Sequence, residues 1–477
     1  MFTTQDLEQI KAHGIDPQSV EQQIKDFEQG FPSLPVLRAA SVGDGIIRLS
    51  ESELKEAIKC YDNALSELKV VKFVPASGAA TRMFKELFEF VGDDKRTKGI
   101  DYLLENIERF AFWPELKALL PEGADDKAIV SAIIGEGLGY GSKPKGLVTF
   151  HSYESGNRKA IEEHLVEAAI YGANKGVANI HFTVSPEHRA AFSELLDSVV
   201  PRHEATFGVK YNISFSEQSP ATDTVAVNPD NTLFRTNAGS LLFRPAGHGA
   251  LIENLNAIDA DLIFIKNIDN VTTDALRGDT VAYKKALGGV LLSLLDRTFE
   301  YIKALEVGGA ELEPIAQFIE QSLCVKLPED YGSATLRSIL ERPMRVCAMV
   351  LNEGEPGGGP YWVKEQSGME SLQIAESSQI SADDAHLMKS ATHFNPADLI
   401  CAVKDSRGQK FNLRDFVDYT TGFISEKSSE GRALRAQELP GLWNGSMAKW
   451  NTIFVEVPVS TFSPVKIVQD LLRDQHQ

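Results

Sequence analysis

The chain has 477 residues, 43% of them hydrophobic and 24% charged, and its 67 acidic residues outnumber its 48 basic residues to give a formal net charge of -19. This apolar content is sufficient for a large folded core and excludes a wholly disordered chain. The negative charge argues against nucleic acid or an anionic membrane surface as the partner, so we expect a small-molecule ligand.

Cysteine and histidine spacing argues against a zinc site. The four cysteines, at positions 60, 324, 347 and 401, are far apart and form no CxxC pair. The histidines at 151, 181 and 203 do not have a ligand spacing such as HExxH.

The first residues do not combine a basic region with an apolar one, and no run approaches ~18 apolar residues. We therefore expect a cytoplasmic protein.

Residues 1–68 are predicted to form an N-terminal helical segment. In its clearest helix, Ser50 and Glu53 have the spacing of a capping box. Apolar residues then recur at helical intervals: Leu54, Ile58, Tyr61, Leu65 and Leu68. We expect this helix to pack on a core formed by later residues.

From residue 69 the chain alternates between short apolar runs and helical stretches. The runs are KVVKFV, GLVTF, NIHFTV, YNISF, DLIFI, RVCAMV and TIFVEV. Buried strands covered by helices on both faces have this pattern, so the sequence predicts a three-layer α/β/α sandwich with a mixed, mostly parallel sheet. We expect a core over 69–410 with helical insertions at about 84–140 and 273–340, and a segment 411–477 that completes it.

The first apolar run leads into a turn of small residues, in the sequence KFVPASGAATRMF. Small side chains from Ala76 to Ala80 let backbone N–H groups approach a ligand closely, and the helix that follows offers the positive end of its dipole. Arg82 lies in the first helical turn. The pattern is neither a P-loop nor GxGxxG, so it indicates either a phosphate cradle or a simple turn.

Further motifs favour the phosphate cradle. PASGAATRM resembles the GGxGTR(L/M) signature of sugar-nucleotide pyrophosphorylases, and KPKG at 143–146 resembles the PKG motif of the UDP-sugar group. Three later segments are similar to that group's uridine-side Gln segment, its GHG or GNG loop and its metal-binding DN segment. They are SEQSP at 216–220, PAGHGAL at 245–251 and KNIDN at 266–270.

The resemblance continues into the C-terminal half. LQIAESSQI at 372–380 and HFNPADLI at 393–400 are similar to the VVEYSEI and FNxGNI segments of UDP-N-acetylhexosamine pyrophosphorylases. VPVSTFSPVKIVQDLL resembles VPRxRFxPVKxxxDLL of UDP-glucose pyrophosphorylases. The match runs from about residue 69 to 473 and implies a GT-A-like fold. The chain also resembles a bacterial family known only as a domain of unknown function, so we expect an uncharacterised branch of the superfamily.

The resemblance implies a nucleotidylyltransferase in which a sugar 1-phosphate attacks the α-phosphorus of UTP or another NTP and pyrophosphate leaves. Such a reaction between polyanions requires charge neutralisation and in-line positioning. Backbone N–H groups of Ser77, Gly78 and Ala79 are expected to hold the triphosphate, and Arg82 to stabilise the pyrophosphate.

Two lysines and two aspartates complete the expected reaction centre. The resemblance places Lys145 and Lys466 beside the α-phosphate and the sugar phosphate; the alternative is that they are solvated surface charges. Asp269 follows the apolar strand DLIFI, where open α/β sheets bind ligands, and is the first expected Mg²⁺ ligand. Its alternative role is a helix N-cap. Alignment on FNxGNI makes Asp398 the second expected ligand.

Base and sugar contacts are also implied by the resemblance. Gln218 and the backbone around Gly247 and Gly249 are expected to bind uracil. His248 is either a base or ribose contact or a loop histidine with a structural partner. The expected contacts to sugar hydroxyls are Asn267, Glu376 and Asn395. Glu376 is alternatively a surface residue, and Asn395 precedes proline, a common turn sequence.

The chain departs from the family pattern in two places. Ala80 replaces the glycine before Thr-Arg, which is unfavourable if that position requires a positive φ angle. About 60 residues separate Arg82 from Lys145, more than is usual in the family. A catalytically silent nucleotide-binding protein on the same fold is therefore the alternative function, and a transferase with another nucleotide or acceptor, such as CTP with an alcohol phosphate, is a third. The sequence does not indicate the oligomeric state.

Overall fold

The computed structural model describes residues 2–78, 80–354 and 357–477. The helices are α1 (Thr4–Ala12), α2 (Pro17–Gln29), α3 (Glu51–Ala64), α4 (Lys85–Asp93), α5 (Lys98–Glu105), α6 (Trp113–Leu119), α7 (Asp126–Ile134), α8 (Ala160–Tyr171), α9 (Arg189–Phe207), α10 (Leu251–Ala257), α11 (Gly278–Val307), α12 (Leu312–Ser322), α13 (Ser333–Leu340) and α14 (Ala385–Ser390). None of these helices combines the length and the apolar character needed to cross a membrane.

The strands are β1 (Val36–Ala39), β2 (Ser41–Val42), β3 (Gly45–Ile47), β4 (Val70–Pro75), β5 (Thr149–His151), β6 (Arg158–Lys159), β7 (Val177–Val184), β8 (Lys210–Glu217), β9 (Thr224–Val227), β10 (Phe243–Arg244), β11 (Leu262–Lys266), β12 (Val325–Lys326), β13 (Met344–Leu351), β14 (Gly359–Lys364), β15 (Glu370–Ala375), β16 (His393–Phe394), β17 (Asp398–Ala402), β18 (Phe423–Ser429), β19 (Arg432–Glu438) and β20 (Asn451–Glu456). The predicted apolar runs correspond to β4, β5, β7, β8, β11, β13 and β20. GLVTF forms only the short β5, paired with β6.

The chain folds into two compact units. Unit 1 comprises Met1–Glu53, Gln218–Asp261 and Leu287–Val457, and unit 2 comprises Leu54–Glu217, Leu262–Ala286 and Pro458–Gln477. Each unit is assembled from three separate stretches of the chain. The first 68 residues also contain the short strands β1 to β3 besides the predicted helices.

Unit 2 is built on a parallel sheet with strand order β11-β4-β7-β8. All residues of β11 are buried, and β4 is buried except at its last residue. Such continuous apolar burial is typical of parallel strands covered on both faces. Because β4 and β11 run in the same direction, the residues that follow them lie at the same edge of the sheet, the edge formed by the carboxyl ends of its strands.

The insertion predicted at 84–140 is helical and consists of α4 to α7. Its apolar side chains share a core with the C-terminal segment of unit 2; Phe84, Leu87, Ile100, Leu103, Val465, Val468 and Leu471 belong to that core. The Gln469 amide also donates to the Gly99 carbonyl at 3.1 Å. The insertion therefore fixes the segment that carries Lys466.

A buried ion cluster lies between α8 and the parallel sheet of unit 2. The Glu167 carboxylate accepts from the ammonium groups of Lys72 and of Lys266, the latter at 2.7 Å, and from the Tyr171 hydroxyl at 2.9 Å. Burial lowers the pKa of Lys72 to about 7, although Glu167 opposes the shift. Glu167 thus supplies the counter-charge of both lysines, although burial outweighs it and lowers the pKa of each.

Unit 1 contains a mixed sheet and two antiparallel sheets. In the mixed sheet, β2, β3, β20 and β13 are parallel, and β17 and β16 pair with β13 in the antiparallel sense. The antiparallel sheets have the orders β1-β14-β15-β12 and β10-β9-β19-β18. The predicted capping box is present before α3, with the Glu53 N–H donating to Ser50 Oγ at 3.3 Å and the Ser50 N–H to Glu53 at 2.8 Å.

A buried histidine pair holds the C-terminal segment of unit 2. His151 Nδ1 lies 2.9 Å from Glu163 Oε1, and His151 Nε2 lies 2.9 Å from His476 Nδ1. The Thr272 hydroxyl donates to the carbonyl of Gln475 at 3.0 Å. Burial lowers the pKa of His476 to about 3, and the positive charges of His151 and Arg473 act in the same direction. The fold therefore requires a neutral His476.

This requirement predicts acid destabilisation through His476. A histidine whose pKa is about 3 when folded and ~6.5 when unfolded contributes stability that is complete above pH 6.5 and is lost as the pH falls toward 3. The His476→Asn variant should lose stability less steeply below pH 6.5 than the wild type, by about 1.4 kcal/mol per pH unit, the equivalent of one proton. Chemical denaturation between pH 7.5 and 4.5 measures the slopes.

The exposed His386 provides the matched control. His386→Asn should leave the pH dependence of stability as it is in the wild type. Parallel curves for the wild type and His476→Asn would contradict the assignment of this proton to His476.

Candidate functional site

A turn at the end of β11 places Asp269 at the sheet edge of unit 2. The Asn270 N–H donates to the Asn267 carbonyl at 3.2 Å, which closes the turn. The C-terminal segment pairs with this turn, because Asn270 forms an antiparallel bridge with Pro464 and the Val465 N–H donates to the Asp269 carbonyl at 3.0 Å. These backbone contacts bring the segment that carries Lys466 next to Asp269.

Lys145, Asp269 and Lys466 form an ion cluster, called here the Asp269 cluster. Lys145 Nζ lies 2.7 Å from Asp269 Oδ2, and Lys466 Nζ lies 3.6 Å from the same oxygen. Lys145 also donates to the Val465 carbonyl at 2.7 Å. Three predicted residues from distant parts of the sequence therefore meet within unit 2.

The Asp269 cluster has the electrostatics of an anion site. Burial tends to raise the pKa of Asp269, but Lys145 and Lys466 outweigh it and hold the pKa below its ordinary value. With Asp269 ionised, one negative and two positive charges leave a net charge of +1. The Lys466 side chain is 51% exposed, so its ammonium group can leave Asp269 to meet a ligand from solvent. An anionic oxygen would find two ammonium groups here.

The same residues do not fit a resident Mg²⁺ ion. The Oδ2 atom of Asp269 already faces two ammonium groups, and a dication would be repelled by both. Among the described residues, no group of three or more His, Cys, Asp or Glu side chains is arranged to hold a metal ion. Mg²⁺ would need further oxygen ligands, such as phosphates, to bind at Asp269.

The small-residue loop after β4 lies next to the segments of the Asp269 cluster. The Ala80 N–H donates to the Lys143 carbonyl at 3.1 Å, two residues before Lys145. The Val468 N–H donates to the Met83 carbonyl at 3.2 Å, two residues after Lys466. The backbone of the loop is thereby tied to both lysine segments.

The predicted cradle residues have different environments. Ser77 is half-buried and Gly78 and Arg82 are exposed, while Ala79 lies outside the described residues. Ala80 is buried and begins the 3₁₀ turn Ala80–Arg82, a right-handed conformation that accommodates an alanine where the family has glycine. Its N–H already has a carbonyl partner and is not directed at a ligand.

Two buried side chains near Asp269 were missed in the sequence. His164 Nε2 donates to the Ile268 carbonyl at 3.1 Å and so fixes the residue before Asp269. Asn270 Oδ1 accepts from the Ser463 N–H at 2.9 Å, while its Nδ2 has no hydrogen-bond partner within the described chain. KNIDN contained Asn270, but only the fold shows that its amide orients the C-terminal segment.

In unit 1 the predicted GHG loop and Glu376 form a second group with Trp443 and Asn444, called here the His248 cluster. The imidazole of His248 stacks on Trp443 with ring centroids 5.4 Å apart, and His248 Nε2 lies 3.7 Å from Glu376 Oε1. Asn444 Nδ2 donates to Glu376 Oε1 at 3.2 Å. Neither Trp443 nor Asn444 was predicted, because no local motif marks them.

The GHG loop requires glycine at both position 247 and position 249. Gly247 has φ +75°, and a Cβ on Gly249 would lie 2.2 Å from the Pro440 carbonyl oxygen. His248 Nδ1 accepts from the Leu442 N–H at 2.9 Å, so in the neutral imidazole the proton is on Nε2, which faces Glu376. The nearby imidazole lowers the pKa of Glu376 despite its partial burial, and the Asn444 amide adds to the effect.

Four other predicted residues have different surroundings. Gln218 directly follows β8 and is half-buried, and Asn267 is half-buried in the turn after β11. Both ends of the buried Asn395 amide bind backbone: Nδ2 donates to the Ala348 carbonyl, and Oδ1 accepts from the Ala397 N–H, each at 2.9 Å. Asp398 is buried at the start of β17.

Comparison with solved structures finds the fold of UDP-sugar pyrophosphorylases. The structure of UDP-N-acetylglucosamine pyrophosphorylase from Trypanosoma brucei, in complex with an inhibitor, matches with a TM-score of 0.52 and 13% identity, over 95% of this chain and 74% of that chain. A variant of UDP-glucose pyrophosphorylase from Leishmania major in complex with UDP-glucose matches with a TM-score of 0.47 and 13% identity, over 99% and 79% of the two chains. At this identity the first match shows the fold alone.

The first match confirms the predicted GT-A-like α/β fold with a mostly parallel sheet. No curated protein matches the chain. The chain belongs to the family described as domain of unknown function DUF4301, which matches residues 3–477.

Proposed function

We propose that this member of the DUF4301 family is a nucleotidylyltransferase that joins a sugar 1-phosphate to UTP and releases pyrophosphate. The observation that carries the proposal is the Asp269 cluster, where two ammonium groups lie on one carboxylate at the edge of a parallel sheet. The resemblance to pyrophosphorylases assigns Lys145 and Lys466 to the phosphates and Asp269 to the metal. The fold shared with a UDP-N-acetylglucosamine pyrophosphorylase supports the same reaction class.

In the proposed reaction an oxygen of the sugar 1-phosphate attacks the α-phosphorus of UTP. A new P–O bond forms, the bond between the α-phosphorus and the bridging oxygen breaks, and pyrophosphate leaves with that electron pair. Lys145 and Lys466 would neutralise the anionic oxygens that must approach each other. Asp269 would keep both ammonium groups at this position before the substrate arrives.

The loop after β4 would contribute at the other end of the triphosphate. Gly78 is exposed, and a Cβ at this position would meet no heavy atom of the described residues within 4 Å. This open backbone would let phosphate oxygens approach the N–H groups of Ser77 and Gly78. The exposed Arg82 would bind the departing pyrophosphate.

We propose that Mg²⁺ enters as part of the nucleotide complex. Phosphate oxygens would then supply the ligands that Asp269 alone does not offer, and their negative charge would offset the two lysines. No step of the proposed reaction is assigned to the metal. The predicted roles of Asp398, Asn395, Asn267 and Gln218 remain proposals about ligand contacts.

One observation favours the second candidate, a silent nucleotide-binding protein on the same fold. At Ala80, where the family pattern has glycine beside the phosphate, the backbone N–H is bound to the Lys143 carbonyl. A weakened cradle would reduce the stabilisation of the departing pyrophosphate more than ground-state binding. Binding of UTP without pyrophosphate release would support this second function.

The Lys466→Ala variant tests the proposed function. Wild-type protein with Mg²⁺, UTP and a panel of sugar 1-phosphates should release pyrophosphate, and Lys466→Ala should reduce kcat/KM by about 10²–10³-fold, as expected for loss of a group that stabilises transition-state charge. Because half of the Lys466 side chain is exposed, the thermal midpoint should change by no more than about 2 °C. A coupled pyrophosphate assay and thermal unfolding measure the two quantities.

Lys210→Ala is the matched control, since Lys210 is an exposed lysine of unit 2 that pairs with Glu204 on the surface. Its turnover should equal that of the wild type. If wild-type protein released no pyrophosphate with any NTP and sugar 1-phosphate, the transferase proposal would fail. Equal losses of turnover and thermal stability in Lys466→Ala would make Lys466 a structural residue.

Gly78→Ala tests the proposed phosphate cradle. The open surroundings and the absence of a positive φ predict that alanine is accepted with unchanged or slightly raised stability. If a triphosphate approaches this backbone, the added methyl group should weaken UTP binding by about tenfold, or ~1.4 kcal/mol. Isothermal titration with UTP measures the affinity.

Gly92→Ala in α4 controls for the substitution itself, because its Cβ also meets no heavy atom of the described residues within 4 Å. That variant should bind UTP as the wild type does. Unchanged UTP affinity in Gly78→Ala would rule out close contact between this loop and the nucleotide.

A further inference from the structure

Arg345 is a fully buried cation near the start of β13 in unit 1. Its Nε donates to Thr452 Oγ1 at 2.9 Å, and its Nη1 donates to the Trp443 carbonyl at 2.5 Å and lies 3.3 Å from Met447 Sδ. Its Nη2 has no hydrogen-bond partner among the described residues. No carboxylate in the described part of the chain forms an ion pair with it.

The neighbouring thiols do not neutralise this charge. Burial raises the pKa of Cys347 to about 11, although Arg345 opposes the shift, and burial raises the pKa of Cys401 still further. Both groups are therefore neutral at pH 7. A buried guanidinium without a counter-ion is unfavourable for folding, and an apolar side chain of similar size would be accepted at lower cost.

The hydrogen bond to Trp443 connects Arg345 to the loop 441–447. In this loop the Leu442 N–H fixes His248 Nδ1, the Trp443 ring stacks on His248, and the Asn444 amide donates to Glu376. Asn444 Nδ2 also donates to Gln379 Oε1 at 3.1 Å. Three successive residues of this loop thus orient the imidazole of His248 and the carboxylate of Glu376.

We infer that Arg345 is a positioning residue that holds the loop 441–447, and with it His248 and Glu376, in the geometry that binds a nucleotide sugar. The ligand class rests on the proposed function and on the sequence-based expectation that His248 contacts the base or ribose and Glu376 the sugar. Arg345 does not touch the ligand; it acts through the Trp443 carbonyl. If Arg345 were only a structural residue, its replacement would reduce thermal stability and ligand affinity together.

The Arg345→Met variant separates the two roles. Methionine has a similar length, carries no charge and removes the donor to Trp443. The thermal midpoint should be unchanged or higher, while the affinity for UDP-glucose and UDP-N-acetylglucosamine should fall at least fivefold. Isothermal titration and thermal unfolding provide the two measurements.

A spectroscopic readout tests the loop independently of any ligand. Uniform ¹⁵N labelling reports both indole and imidazole nitrogens. The protein has four tryptophans, so the indole resonances form a small set in which Trp443→Phe identifies Trp443, and His248→Gln identifies the ring of His248. In Arg345→Met the Trp443 indole and the His248 imidazole resonances should shift. The shifts are expected whether or not the wild type binds a UDP-sugar. No binding of a UDP-sugar would reject the ligand class together with the proposed function, and the shifts alone would then test the positioning of the loop by Arg345.

Arg342→Met is the matched control, because Arg342 is a largely buried arginine of unit 1 that is paired with Glu365 at 3.1 Å. It should lower the thermal midpoint and leave the Trp443 resonance and nucleotide-sugar affinity unchanged.

A second variant, Arg345→Lys, serves if Arg345→Met does not fold. Lysine keeps the positive charge but lacks the several N–H donors of the guanidinium, and this variant should show the same resonance shifts. Unmoved Trp443 and His248 resonances, or parallel losses of stability and affinity, would overturn the inference.

Discussion

The carboxylate of Asp269 is the interaction on which the candidate site depends. A largely buried carboxylate requires partners, and Asp269 has two ammonium groups, one from a segment 124 residues earlier in the chain. To bring Lys466 to the same oxygen, the C-terminal segment must pair with the turn after β11, and the helical insertion must hold that segment in place. The electrostatic requirement of one oxygen atom thus accounts for the path of three distant stretches of unit 2.

The sequence predicted this site through strand ends and short motifs. Continuous apolar runs revealed β4 and β11, and the residue types after each run indicated phosphate chemistry. Lys145 and Lys466 were found because they lie in motifs that resemble those of pyrophosphorylases. Trp443, Asn444 and His164 were missed because each acts through a contact that only the folded chain creates. A tryptophan stacked on a loop histidine has no signature in the local sequence.

The departures from the family pattern have a physical explanation in the fold. An alanine at position 80 would be unfavourable if the backbone there required a positive φ. Ala80 is buried, does not have a positive φ, and donates its N–H to the Lys143 carbonyl. The long insertion between Arg82 and Lys145 contributes core residues that pack with Val465 and Val468. The insertion and the Lys466 segment therefore stabilise each other, which explains how KPKG reaches Asp269 despite its distance along the sequence.

Two buried cations of unit 2 have a carboxylate partner that Arg345 of unit 1 lacks in the part of the chain that the structure describes. Lys72 and Lys266 share the carboxylate of Glu167. In unit 1, Arg345 has a carbonyl, a hydroxyl and a thioether as its partners among the described residues. An uncompensated buried guanidinium is unfavourable for folding, so stability does not explain it. The physical reason to keep a guanidinium at position 345 must then lie in what its donors hold, which is the backbone of the loop that orients His248 and Glu376.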